Sequence, residues 1–178
     1  MRIRRTTPRA RRAGAAVVEF AFVAFPLFLL LGGIFEYGRY LFVYHAAQNA
    51  ARDGARFAAV HTSGGTMPGE PVAVTANDVK ELVRTGMFNG REYGSGLFGV
   101  ENQIDGYTCD VYSVTSTQLN ASPPDVDPAG KPAWNAAAFQ DKVVVRITGT
   151  YRPVLPNLIG MSPTVDFKTT AIASSEGN

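Results

Sequence analysis

Hydrophobic positions are unevenly spread along this chain. In residues 15–60, 32 of 46 positions are apolar or aromatic; in residues 61–178 only 45 of 118 are. Residues 20–35 carry no charge, and back to Ala15 the apolar run is broken only by Glu19. About 20 mainly apolar residues at 1.5 Å rise each span a bilayer. The pattern predicts a transmembrane helix over about residues 15–38. It then continues without proline through residues 39–60. Leu41, Tyr44, Ala47, Ala51, Ala55 and Ala58 fall at three- and four-residue spacing, one small-residue helical face. Gln48, Arg52 and Arg56 form another face. One helix over residues 15–60 would be roughly 69 Å long. Pro26 should kink it, by removing a backbone donor and clashing with the preceding turn. His61 to Thr66, with Ser63-Gly64-Gly65, is the expected stop.

The remaining residues read as a small α+β head over residues 61–178, an antiparallel sheet with one packed helix. Asp78 and Glu81 have capping-box spacing; Val79, Leu82, Val83 and Met87 then predict a short amphipathic helix ended by Asn89-Gly90. Residues 142–151 alternate as a strand. Val143, Val145, Ile147, Gly149 and Tyr151 share one face, and Val144, Arg146, Thr148 and Thr150 the other. Residues 165–173 alternate likewise, and residues 107–115 form a weaker strand. Prolines make 119–132 a long surface loop and 154–162 a connection. Phe88, Phe98, Trp134, Phe139, Tyr151 and Phe167 are core candidates, with interface contacts as the other reading.

The net charge of +2 changes this picture once it is located. Six arginines (Arg2, Arg4, Arg5, Arg9, Arg11, Arg12) lie in residues 1–14 without an acid; the rest has eleven basic against fifteen acidic residues. A basic surface for nucleic acid is therefore not expected. Arginines before a span predict a cytoplasmic N-terminus and an extracytoplasmic head. A conventional secretory signal needs an A-x-A site after its apolar stretch, and between Glu36 and Val60 no two alanines stand two apart. Arg11-Arg12 lacks the residues expected after a twin-arginine signal. One cysteine, Cys109, excludes an intramolecular disulfide and a cysteine-cluster zinc site.

Glu19 is the odd residue. A carboxylate at the centre of a span costs about 2.5–3.5 kcal/mol on insertion scales, so it either has a partner or reaches the interface. Its setting is Arg11-Arg12-Ala13-Gly14-Ala15-Ala16-Val17-Val18-Glu19-Phe20. A basic leader ending in glycine, followed five positions later by glutamate in an apolar helix, resembles a type IV prepilin processing site. Together with Pro26, Glu36-Tyr37-Gly38-Arg39 and Ala46-Ala47-Gln48-Asn49-Ala50-Ala51-Arg52-Asp53-Gly54-Ala55-Arg56, it resembles the TadE-like family, minor pilins or pseudopilins of bacterial tight-adherence (Tad) pili. The resemblance covers residues 14–60 and is only generic beyond. Pro26 comes earlier than the usual proline of type IV pilins. The resemblance implies cleavage between Gly14 and Ala15 by a prepilin peptidase in the inner membrane. It implies subunit pairing through Glu19 beside Phe20. Other Tad pilins and the inner-membrane assembly platform are the implied partners, with no enzyme activity, cofactor or metal. More than 110 residues after the helix suit a minor subunit.

Glu36, Arg39, Arg52 and Arg56 are candidate subunit contacts. Arg39 lies three after Glu36, suited to a helical ion pair; Arg52 and Arg56 suit a solvated face equally well. Other motifs carry less. Gly94-Ser95-Gly96-Leu97-Phe98-Gly99 fits G-x-G-x-x-G but lacks the strand, helix and acid of a dinucleotide site, so a flexible glycine loop is expected. His45 and His61 belong to no catalytic or metal-spaced set. Asp125 and Asp127 are too few for calcium. Asn120-Ala121-Ser122 is an incidental sequon. Cys109 is expected to be buried. The rival to a pilus subunit is an uncleaved single-pass anchor displaying a binding head; an anchored hydrolase lacks any visible nucleophile–base set.

Overall fold

The computed structural model describes residues 10–62, 73–97, 99–120, 130–154, 156 and 162–175, with side chains from Gly14 onward. Residues 1–9, Ser63 to Thr66, Phe98, Asp125, Asp127 and most of the 154–162 connection lie outside this set.

A single helix, α1 (Ala10–Val60), organises the molecule. It begins five residues before the expected start at Ala15, because arginine and alanine, both strong helix formers, fill the turn before Gly14. The helix runs unbroken through Pro26. The proline removes one donor and does not end the element. Helix α2 (Ala76–Thr85) follows. A two-residue hairpin, β1 (Met87–Phe88) and β2 (Arg91–Glu92), comes next. The main sheet is β3 (Ile104–Val114), β4 (Lys142–Tyr151) and β5 (Val165–Ser174), all antiparallel, with β4 central. A four-residue helix, α3 (Ser116–Leu119), follows β3. The architecture is α+β, a long apolar helix carrying a small antiparallel-sheet head.

The expected stripe on α1 is the seam of the fold. Ala47, Ala51, Ala55 and Ala58 are fully or almost fully buried, and Leu41 and Tyr44 half-buried. Small side chains let the helix backbone approach the sheet closely. Gly54 lets the helix approach α2 as well, since a Cβ there would collide with Val83. Val143, Val145, Ile147 and Tyr151 of β4 close the seam from the other side, with Phe167 and Ala171 of β5. The other face of β4 is covered too. Val144 is buried with Tyr112 and Val114 in a second small cluster. Arg146 is buried with its guanidinium 5.4 Å from the Tyr112 ring centre. Between Asp105 and Thr108 the β3–β4 register slips, a bulge that places one extra residue on β3.

Several local expectations shift by a few residues. The capping box of α2 is Thr75 with Asp78, not Asp78 with Glu81: Thr75 N–H donates to Asp78 Oδ2 at 2.8 Å, and Asp78 N–H donates to Thr75 Oγ1 at 3.3 Å. The helix stops at Gly86, whose φ of +76° makes a left-handed cap. Asn89-Gly90 instead turns the β1–β2 hairpin, and Met87 is exposed. The weaker strand is the longest, 11 residues, because the β4 partner supplies pairing that the pattern of 107–115 does not advertise. Phe88, Trp134, Tyr151 and Phe167 are core residues. Phe139 is not; it is 68% exposed in the turn before β4.

The strands run lengthwise along α1. Lys142, at the start of β4, pairs with Ser174, and the following Ser175 meets Thr62 (Oγ···Oγ1 2.7 Å) just beyond the end of α1. Tyr151, at the end of β4, meets Glu36. The nine steps between Lys142 and Tyr151 span about 31 Å at strand rise. The 26 steps from Glu36 to Thr62 span about 39 Å at helix rise. The seam is therefore apolar along its length and joined by polar contacts at both ends.

Candidate functional site

Two parts of α1 differ in surroundings. From Gly14 to Phe35 no described side chain is buried, and nearly every large apolar residue is exposed, Phe20 at 71% and Phe22 at 78%. Val17, Val18, Val23, Phe25, Phe28, Leu30, Ile34 and Phe35 point in all directions around the helix. A helix apolar all round requires lipid or other helices. It is the one described helix long and apolar enough to cross a membrane. Gly14, Ala15, Glu19 and Phe20 lie together on its first exposed turns. A Cβ on Gly14 would meet nothing within 4 Å. Ala15 and Glu19 are four apart and share one face.

At Glu36 the environment changes. Its side chain is 1% exposed, the first buried one along the helix. A buried carboxylate needs partners. Tyr151 Oη donates to Oε1 at 2.5 Å, Val154 N–H to Oε2 at 3.2 Å, and Arg39 Nη1 to Oε1 at 3.4 Å. The Arg39 guanidinium also sits 5.6 Å from the Tyr151 ring centre, and Tyr40 packs edge-on against that ring. Burial, and then the hydrogen bond to Glu36, push the Tyr151 hydroxyl up to about 12. The expected Glu36–Arg39 pair is present. Its other partners, Tyr151 and Val154, are more than 110 residues away in sequence and leave no local signal.

Arg52 and Arg56 lie on the exposed side of α1. With Asn49, Asp53 and Ser95 they line an open pocket of about 350 Å³. Arg52 donates to the Asn49 side-chain oxygen at 3.5 Å. Asp53 is turned to the head, accepting from Ser95 N–H at 3.3 Å. The structure brings Arg52 and Arg56 together, far from Glu36 and farther from Glu19.

The glycine-rich segment is packed rather than loose. Gly94 lies against Asp53, and Gly96, at φ +54°, lies against the backbone of Gly86. The glycines allow these close approaches, and a short 3-10 turn at Glu101–Gln103 follows instead of a phosphate-binding helix. His45 is exposed. His61 is buried at the helix end, where its Nδ1 donates to Phe57 O at 2.7 Å and its ring stacks near Phe57. Cys109 is buried, and burial pushes its thiol up to about 11. Among the described residues no three His, Cys, Asp or Glu groups converge as metal ligands.

The fold and this division of α1 define an α+β protein of the single-helix, apolar-stalk class. Residues 14–56 match the family model described as TadE-like protein. The matched stretch contains Gly14, Glu19, Glu36, Arg39, Arg52 and Arg56, and the match implies a membrane protein related to Tad pili. Searches of curated proteins and of solved structures returned no match.

Proposed function

We propose that this chain is a TadE-like minor pilin or pseudopilin that takes part in assembling a Tad pilus for adherence or secretion. The observation that carries the reading is the bare stalk. A helix apolar on every side, with Gly14 and Glu19 exposed at its start, is suited first to lipid and then to neighbouring helices. In this reading the arginine-rich leader stays in the cytoplasm and the head lies beyond the inner membrane. A prepilin peptidase cuts after Gly14. The new ammonium on Ala15 and the Glu19 carboxylate of a neighbour then neutralise one another, and the helix dipole favours the carboxylate near that end. Arg52 and Arg56, which have no carboxylate partner among the described residues, receive acidic side chains of adjacent subunits. The role is structural, with no cofactor.

Co-expression with a prepilin peptidase, followed by N-terminal sequencing, tests the processing step. A chain beginning at Ala15 is expected. An intact Met1, or a new end far from Ala15, sinks it.

The continuity of α1 across Gly14 favours a second reading, an uncleaved anchor displaying a binding head. A Gly14→Ala variant separates the two. Unchanged chain length and surface attachment support the uncleaved anchor, whereas accumulation of the longer form supports the pilin reading.

A further inference from the structure

The bare stretch of α1, residues 15–35, rises about 32 Å at 1.5 Å per residue. This matches the roughly 30 Å hydrocarbon core of a bilayer. The next residue is Glu36, whose Oε2 accepts from Val154 N–H at 3.2 Å. That hydrogen bond holds the exit of β4 level with the point where the bare helix ends. The side chains around this level are an exposed aromatic, an exposed aliphatic, and charges answered within the chain, Asp166 at the start of β5 accepting from Thr150 Oγ1 at 2.7 Å. Tyr37 is exposed on the helix, and Val154 is 61% exposed on the head. Arg152 lies between Tyr151 and Val154 with its guanidinium reaching Asp105. Arg39 is answered by Glu36. By sequence, no charged residue occurs between Arg152 and Asp166.

We propose that this lower rim of the head, through Tyr37, Arg152 and Val154, rests in the headgroup layer of the bilayer that α1 crosses. The inference rests on the membrane reading of the stalk and extends it to the head. The rim is continuous with the apolar stalk. An interfacial tyrosine, an arginine and an exposed aliphatic side chain are the types that settle where apolar and polar phases meet. Both arginines already have carboxylate partners within the chain, so the contact needs no anionic lipid. Exposed apolarity alone is not the criterion. Phe139 is as exposed as Val154 but lies near the start of β4, about 30 Å away along the strand.

The test uses the full chain reconstituted in phosphatidylcholine vesicles, with single cysteines at Val154, Leu27 or Phe139 carrying an environment-sensitive fluorophore. Brief maleimide labelling spares the buried Cys109, checked on the unsubstituted chain. Lipids with a quencher near the headgroup or deep in the acyl chain then report depth. The expected result is strong deep quenching at Leu27, shallow quenching at Val154, and several-fold weaker quenching at Phe139. Adding phosphatidylglycerol should leave the Val154 signal unchanged. Quenching at Leu27 without quenching at Val154 overturns the rim contact while leaving the span intact. A Val154 signal that depends on phosphatidylglycerol overturns the charge-neutral contact. No quenching at Leu27 overturns the membrane reading itself.

Discussion

The two halves of α1 are built from different residues for different neighbours. Below Glu36 the helix carries large side chains, such as Phe20, Phe22, Phe25 and Phe28, on all sides. Above it, the buried face is mostly alanine, with Gly54 packed against Val83 of α2. Large side chains suit a surface that must fill lipid or an as yet unformed interface. Small ones suit a surface already matched to a rigid sheet. One continuous helix thus divides into a half whose stability comes from the head and a half whose apolar surface awaits other molecules. The contrast predicts that substitutions in the upper half change the melting of the isolated subunit, and those in the lower half change what it joins.

The largest effect is expected at Tyr151. Tyr151→Ala empties a fully buried ring site and strips Glu36 of a donor, for about 3–5 kcal/mol of lost stability. Urea unfolding of the detergent-solubilised chain measures it; a loss too small to resolve would break the picture of a sealed upper half. Tyr151→Phe isolates the hydroxyl and should cost about 1.5–3 kcal/mol, as for hydrogen bonds to charged groups. The same hydroxyl makes stability pH-dependent. Its folded value is raised above the ordinary 10, to about 12. Its contribution is complete below pH 10 and is lost as pH rises through about 12. Melting curves across that window should show the loss in the parent and a smaller one in Tyr151→Phe.

Gly54→Ala is a finer test. Overpacking against Val83 should cost about 1–3 kcal/mol. The gain of roughly 1 kcal/mol in helix propensity offsets part of this, leaving a small net destabilisation in the same urea assay. A stabilised variant would mean the seam can open without penalty. Glu19→Ala and Arg52→Ala should be nearly silent in that assay, within about 0.5 kcal/mol, as for exposed positions. Each should still reduce co-purification with other pilus subunits. Normal subunit capture and normal piliation in Glu19→Ala would remove the pairing role from the lower half.

Much of the scaffold was legible because it repeats locally. The alanine stripe follows the helical period, and β4 keeps the strand period over its length, with both ends placed correctly. The N-terminal motif was equally visible, since Gly14, Glu19 and the arginines lie within one short stretch. Other features depended on partners. Asp78 satisfies a capping box with Thr75 as well as with Glu81 by spacing alone, and only the backbone geometry decides. Phe139 has the composition of a core residue but sits exposed in the turn before β4. The burial of Glu36 was hidden in another way. Its position beside Arg39 suggests a surface ion pair, while the hydroxyl and amide that hold it come from the last residue of β4 and from Val154 just beyond it.

The lengthwise seam has a mechanical consequence. Strands β4 and β5 lie along α1 and are held to it near both Glu36 and Thr62. Tension applied along the helix therefore loads the head in shear, with the alanine contacts strained together. A force across the axis would instead peel them one at a time from an end. Shear spreads the load and raises the rupture force. A subunit joined to a filament through its stalk would resist axial pulling better than sideways prying.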